Sequence, residues 1–346
     1  MVADGIMGSH GVVGPLPEQV RVSVGSAIVM GLMVARLDSL PTTAYLMTYR
    51  RGRCSANCGF CPQARGSRGR SDMLSRVSWP AFKTDTVVDC LKKAVEGKGI
   101  RRVCVQALNY DEAIAHVKGI VSAIHGVVGV PISVSCQPAN EDDVRQLADA
   151  GADRIGIPLD AATKEVFDRV KGHLAEGPYD WTRQLELLER TVQIFYRGKV
   201  STHLIVGLGE TEQEMVSTIQ WCVDMGVLPA LFAFTPISGT ALESLKQPSI
   251  RVFRRIQLAR HLIVHGKSRA TEMRFDRGGR LVGWGVPKTL LVQIMRTSEP
   301  FLTSGCPNCN RPYYNERPGG PIYSYPKPLA SSDLAAIETE LAIAEA

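Results

Sequence analysis

The sequence predicts an α/β fold in which parallel strands and helices alternate and close into a (β/α) barrel, full or partly open. Two observations predict it: short β-branched runs recur between longer amphipathic stretches, and the turns joining them are short. A third agrees with them. Three closely spaced cysteines follow the first strand-like run directly, and the C-terminal ends of strands are where such barrels keep their working residues.

Taken in chain order, a Gly-rich start at 1–14 precedes a helix-like segment at 17–38. The apolar run 44–49 reads as the first strand. Further strands are expected at 103–107, 132–136, 154–157, 201–206, 231–234, 273–275 and 301–303. Helical patterns fill the gaps, at 85–96, 140–150, 183–195, 212–225 and 249–265 among others. Residues 306–328, rich in Pro, Gly and Tyr, read as an ordered loop, and a helix at 331–345 closes the chain. The expected domains are an N-terminal extension with a helix at 1–40, the barrel at 41–304, and a cysteine-bearing loop and helix at 305–346.

The 346 residues, 45% apolar and 21% charged, are those of an ordinary globular chain able to bury a large core. Nine cysteines are too few for a disulfide scaffold, and three crowd one loop, which favours a reducing compartment. No leader pattern opens the chain, and the longest apolar stretch, 27–35, is too short to cross a bilayer; a cytoplasmic protein without membrane attachment is expected. The net charge of +6 concentrates around the cysteine loop, in Arg50, Arg51, Arg53, Arg65, Arg68 and Arg70. Such a face suits an acidic partner. These arginines are not interleaved with stacking aromatics, so an acidic protein domain fits better than nucleic acid.

The triplet is Cys54-Ser-Ala-Asn-Cys58-Gly-Phe-Cys61. Three thiolates on so short a loop can hold three irons of a cubane 4Fe-4S cluster and leave the fourth without a protein ligand. A ligand with an amino and a carboxylate group can chelate that iron, so the spacing points to reductive cleavage of S-adenosylmethionine. The competing reading is a structural zinc site. Such sites usually take four Cys or His ligands, and no second pair or His follows nearby. A disulfide is weaker still, since three close cysteines do not pair off.

With Pro-Gln after it, the triplet resembles the cluster loop of radical S-adenosylmethionine enzymes, in the form seen in biotin synthase. The resemblance implies a radical SAM barrel, with Phe60 beside the adenine. Leu204-Ile-Val-Gly-Leu-Gly-Glu210-Thr211 resembles the family's strand-five signature, in which Ile205 contacts the adenine and Gly207 allows close approach. His203 stands where the pattern often has Gly; a lone His in a strand is more often a satisfied core residue. Leu159-Asp160-Ala-Ala-Thr resembles the strand-four segment, with Asp160 toward the cofactor. Arg183 lies within a residue of a position that binds the cofactor carboxylate in this family, against a plain reading as a solvated helix face.

Cys104 and Cys136, ending strands two and three, match two cysteines that hold the second, sulfur-donating cluster of biotin synthase. Ser201 takes the place of the third, and Arg274 in strand seven stands for that family's arginine ligand. Ser304-Gly-Cys306-Pro-Asn-Cys309-Asn-Arg-Pro-Tyr-Tyr-Asn-Glu, with Pro-Gly-Gly-Pro-Ile-Tyr-Ser-Tyr-Pro326 after it, adds a cysteine pair expected on the catalytic face. It resembles the C-terminal signature of one subunit of the archaeal-type two-component lipoyl synthase. The plain alternative for Cys306 and Cys309 is a small zinc knuckle, and Cys90 and Cys222 read as buried helix residues.

The resemblance implies hydrogen abstraction from C6 or C8 of an octanoyl chain by a 5'-deoxyadenosyl radical. An auxiliary 4Fe-4S cluster anchored among Cys104, Cys136, Cys306 and Cys309 then donates sulfide; the fallback is a site held by Cys306 and Cys309, with Ser304 or a substrate atom completing it. No catalytic side chain beyond cluster and cofactor is implied. The implied partners are a second lipoyl synthase subunit, an octanoylated acidic carrier domain and an electron donor such as ferredoxin. The rivals are biotin synthase itself, a hydrogenase maturase, a non-catalytic iron-sulfur carrier and an RNA-binding module. Ser201 counts against the first, Cys104 and Cys136 against the second, and the adenine-contacting pattern against the last two.

Overall fold

The computed structural model describes residues 14–317 and 319–341. The Gly-rich start up to residue 13, Pro318 and the end of the closing helix beyond 341 lie outside the described residues. The chain runs β1 (Gln19–Val22), α1 (Val24–Val29), β2 (Thr43–Thr48), β3 (Met73–Leu74), β4 (Val77–Ser78), β5 (Ala81–Lys83), α2 (Thr84–Glu96), β6 (Arg102–Gln106), α3 (Ala113–His125), β7 (Ile132–Ser135), α4 (Glu141–Asp149) and β8 (Arg154–Gly156). It continues with α5 (Lys164–Val170), α6 (Trp181–Phe195), β9 (Val200–Val206), α7 (Glu212–Met225), β10 (Val227–Ala233), α8 (Ile250–Val264), β11 (Arg274–Phe275), β12 (Leu281–Gly283), α9 (Lys288–Arg296) and α10 (Ser331–Leu341).

The main sheet has the order β10-β9-β8-β7-β6-β2-β1-β5. From β2 to β10 all pairings are parallel, each strand joined to its neighbour by a helical crossover. The barrel is therefore open: six parallel strands, with β1 added antiparallel to β2 and β5 antiparallel to β1 beyond it. Side chains alternate across it, as the period of a strand requires. Ala44, Leu46, Val103, Val105, Ile132, Val134 and Ile155 pack outward against the helices, while Tyr45, Met47, Cys104, Gln106, Ser135 and His203 face the interior. Among the described residues no helix is long and apolar enough to cross a membrane.

Several helices begin and end where local chemistry dictates. The Thr211 side chain and Glu214 form a capping box at the start of α7, and Gly226, at φ +87°, ends it. Asn140 caps α4 and Ser249 caps α8 in the same way.

Three expectations are corrected. Residues 17–38 are not one helix: Val20 and Val22 are β-branched and buried on the sheet, Ser23 caps the short α1, and Gly31 at φ +75° ends it. The expected strand at 273–275 is instead half of a detached hairpin, β11 with β12, turned by Asp276, Gly278 and Gly279. The expected strand at 301–303 is a 3-10 turn, Glu299–Phe301, followed by one isolated bridge between Leu302 and Tyr325. Pro300 there lacks the N–H a ladder would need.

The C-terminal segment is tied to α8 by Arg254, which is 2% exposed. Its guanidinium donates to the backbone oxygens of Tyr323 (2.7 Å) and Ile322 (2.5 Å) and to Gln257 Oε1 (2.7 Å), and it stacks over Phe301 and Tyr325. Arg254→Met removes the donor to the Ile322 oxygen and to Gln257 Oε1 and leaves the Tyr323 oxygen with Gln257 Nε2 alone. A loss of about 3 kcal/mol is expected, read as a lower melting temperature and faster proteolysis within residues 319–330; an unchanged melting temperature would count against the clamp.

Candidate functional site

A cavity runs down the inside of the sheet, walled by β2, β6, β7, β9 and β10. Two sets of cysteines border it: Cys54, Cys58 and Cys61 from the loop after β2, and Cys104, Cys306 and Cys309.

The first loop is fixed by its own backbone bonds. The N–H of Asn109 donates to Cys54 Sγ at 3.1 Å, and the Ser55 N–H donates to the Asn109 oxygen at 2.7 Å. The Gly59 N–H donates to the Val170 oxygen at 2.7 Å, and the Leu242 N–H returns a bond to the Gly59 oxygen at 2.9 Å. Asn57 bridges the Ala175 oxygen and the Gly66 N–H. Arg53 donates to the oxygens of Pro62 and Gly69, both at 2.6 Å, so this arginine folds the loop, while Arg51, Arg65, Arg68 and Arg70 are exposed, Arg65 beside Glu176 and Arg70 paired with Asp72.

Desolvation in the cavity pushes the Cys58 thiol up to about 12, against Lys171, which favours the thiolate. Cys61 is raised further, by desolvation first and then by its neighbour Cys58. Thiolates there need positive charge supplied from outside the protein, as bound iron does. A structural zinc site takes four Cys or His ligands, whereas three thiolates hold three corners of a cubane on separate irons. The donor set fits a 4Fe-4S cluster with one corner open.

Of the residues expected at the cofactor, Phe60, Asp160 and Ile205 line this cavity. Asp160 sits at φ +66°, bridged to Leu204 of β9. Gly207 does not line the wall; it turns the chain at φ +102°, where a Cβ would lie 2.8 Å from the ring of Pro248, and its N–H donates to Glu210 Oε1 at 2.6 Å. Arg183 does not reach the cavity either. It is exposed on the first turn of α6, its N–H taken by the Asp180 cap. The cation at this end is Lys171, which no sequence pattern marked. Its ammonium donates to Asp160 Oδ2 and to the Pro158 oxygen, both at 2.7 Å, under the ring of Tyr179 at 4.8 Å.

The second set is assembled from distant parts of the chain. Cys104 points inward from the middle of β6. Cys306 and Cys309 enter from the N-terminal ends of the strands, contrary to the expectation that they lie on the catalytic face: Arg102 holds the Pro307 oxygen at 3.0 Å, and Asn310 pairs with Thr42 and Leu40. Tyr45 OH lies 3.2 Å from Cys309 Sγ, and Ser133 Oγ donates to Cys306 Sγ at 3.4 Å. The Cys104 thiol is raised by desolvation and then by Cys306 and Cys309, with Arg311 and Arg102 opposing. Arg311 lies 3.8 Å over the Phe232 ring.

Cys136 also borders this cavity, but it is 2% exposed and packs with the outward cluster, and its raised thiol feels Asp143 and none of the other cysteines. Ser304 is spent on the backbone of Leu231. Arg274 is exposed on the detached hairpin, away from the cavity, so Arg311 is the arginine at the second thiol set. Ser201 lines the wall, and His203, stacked 4.8 Å from Phe232, is held neutral, its pKa lowered to about 4 by burial. Cys222 is buried in α7, and Cys90 is half-buried in α2. The inward period of β2 would have marked Tyr45, and Arg311 sits inside the quoted motif with no role assigned.

Lys171 and Asp160 form a nearly buried ion pair, their side chains 1% and 11% exposed. Lys171→Met strands a carboxylate and is expected to cost about 3–5 kcal/mol, and pairing it with Asp160→Asn should recover part of the loss. Chemical denaturation of the two variants checks this, and equal stability of both would refute the coupling.

Comparison with known proteins agrees with this geometry. The family model described as Radical SAM superfamily matches residues 50–222, half of the chain. The chain is 26% identical over 230 residues to the biotin synthase of Anaeromyxobacter dehalogenans (strain 2CP-C), covering 63% of this chain and 60% of that protein. It is 27% identical over 240 residues to the biotin synthase of Chlamydia pneumoniae, covering 65% and 66%. The match thus spans less than two thirds of either relative's own length. In fold it is similar to the FeFe-hydrogenase maturase HydG from Carboxydothermus hydrogenoformans, with TM-score 0.51 and 17% identity over 65% of this chain and 52% of that one. With its cysteine loop inside the matched region and an open barrel around it, the chain belongs to the radical SAM superfamily.

Proposed function

We propose that this protein inserts sulfur into an unactivated C–H bond of an octanoyl chain carried on a lysine of an acidic carrier domain, as in lipoyl cofactor synthesis. The observation that carries the reading is the second thiol set, Cys104 with Cys306 and Cys309, on the same cavity as Cys54, Cys58 and Cys61. Cys54, Cys58 and Cys61 would hold one 4Fe-4S cluster, and Cys104, Cys306 and Cys309 an auxiliary one. When bound, the first cluster with S-adenosylmethionine supplies a primary carbon radical able to take hydrogen from carbon that no side-chain base can deprotonate.

The protein's own residues position and shield. Met47, Leu108, Phe232 and Phe234 give the cavity apolar walls, which suit an alkyl chain and exclude water that would divert a radical. Phe60 and Ile205 are the proposed adenine contacts. The exposed Arg51, Arg65, Arg68 and Arg70, on the segment around the cysteine loop, suit an acidic carrier domain and an acidic electron donor such as a ferredoxin. Two sulfurs are needed per lipoyl group, so a second lipoyl synthase subunit is the proposed partner. The residue expected to take the cofactor carboxylate, Arg183, has no part in this reading.

A second reading is a biotin synthase-like enzyme acting on another alkyl substrate, favoured by the relatives found. Substrate decides between them. With dithionite and S-adenosylmethionine, the anaerobically reconstituted protein is expected to convert an octanoyl-lysine peptide to a singly thiolated product; turnover of dethiobiotin alone would overturn the lipoyl reading. Wild-type protein should carry about eight irons. Cys306→Ala and Cys309→Ala together should leave about four with S-adenosylmethionine cleavage retained, and unchanged iron would remove the second cluster.

A further inference from the structure

Outside the cavity, His261 in the last turn of α8 and His265, which caps its end, lie four residues apart with their ring centroids 4.3 Å apart. Glu299, opening the 3-10 turn that packs on this helix, brings its carboxylate to them. One ligand atom from each of the three lies within 4.8 Å of the others, and among the described residues no other set of three His, Cys, Asp or Glu side chains comes as close. No hydrogen bond or ion pair to another described residue occupies these rings or this carboxylate. His261 is 7% exposed and fixed in the helix packing, while His265 and Glu299 are exposed and free to close the remaining distance.

We propose that His261, His265 and Glu299 bind one divalent cation of the zinc class, with water in the fourth position. Two imidazoles and one carboxylate with an open corner are a ligand set that zinc accepts in tetrahedral geometry, at about 2.0–2.2 Å per ligand. A late first-row ion is favoured over calcium or magnesium, which prefer all-oxygen shells.

The consequence lies in what the ion would join. Glu299 leads through buried Phe301 to Thr303, whose N–H donates to the Tyr325 oxygen at 3.0 Å, and to Ser304, which accepts from the Leu231 N–H at 2.7 Å. Cys306 and Cys309 follow. Arg254, on the same helix, grips the segment farther along, at Ile322 and Tyr323. A cation at Glu299 staples α8 to the root of the segment that carries the second thiol set.

The test uses full-length protein reconstituted with iron and sulfide, so that the cavity cysteines are occupied, then titrated with zinc chloride alone. One zinc per chain is expected, with a nitrogen and oxygen shell by zinc-edge absorption and a rise in melting temperature on binding. His265→Ala and Glu299→Gln, both at exposed positions, should each weaken zinc binding at least about tenfold and abolish the thermal shift, with iron content unchanged. Sulfur ligation of the zinc, or variants that bind zinc like the wild type, would overturn the proposal. Because iron and zinc are counted separately, its failure leaves the reading of the cysteines untouched.

Discussion

The site is governed by the cost of holding thiolates where water is scarce. Cys58, Cys61, Cys104 and Cys309 all have their thiols raised with desolvation as the first cause, and each set raises itself further by mutual repulsion. Lys171 and Arg311 offset only part of this. A sulfur in that environment stays protonated and inert unless a cation takes the charge, and an iron cluster is a cation that three thiolates can share. The backbone bonds that hold residues 54–61 fix the loop, and one of them, from the Asn109 N–H, is accepted by the Cys54 sulfur itself.

The two thiol sets approach the cavity from opposite ends of the strands. The Cys54 loop springs from the C-terminal end of β2, while Cys306 and Cys309 are pinned near the starts of β2, β6 and β7 through Thr42, Arg102 and Ser133. The space between them is lined by inward residues of the parallel strands. In the proposed reading, an alkyl chain lying along it would meet one thiol set at each end, and hydrogen removal and sulfur donation would act at separate places on one substrate.

Six parallel strands suffice because the C-terminal segment does the work that a seventh and eighth would do in a closed barrel. Arg254 and the Leu302–Tyr325 bridge hold that segment against α8, and Asn315 reaches back to β10 through the Ala233 oxygen at 2.9 Å. The wall of the cavity on this side is thus a loop shaped by specific polar contacts, with Tyr314 edge-on to Phe232 at 5.6 Å.

What the sequence determined by itself was whatever depends on local spacing. The triplet at Cys54, Cys58 and Cys61, the parallel strands from β2 to β10, and helices such as α7 with its Thr211 cap follow from short-range periodicity and capping, because their causes lie within a few residues of each other. The tertiary structure alone decided which thiols meet. Cys104 and Cys136 look equivalent along the chain, yet Cys104 falls on the inward phase of β6 and feels Cys306 and Cys309, while Cys136, just past the end of β7, borders the cavity but packs with the outward cluster. Arg183 and Arg274 were marked by position in a pattern, and Lys171 and Arg311 took the cavity instead, because only the folded packing fixes which long side chain can reach a buried charge. The last two strands failed for a related reason: Pro300 and the Gly278–Gly279 turn leave no ladder to extend, and long-range hydrogen bonding, invisible in any short window, settles where a sheet stops.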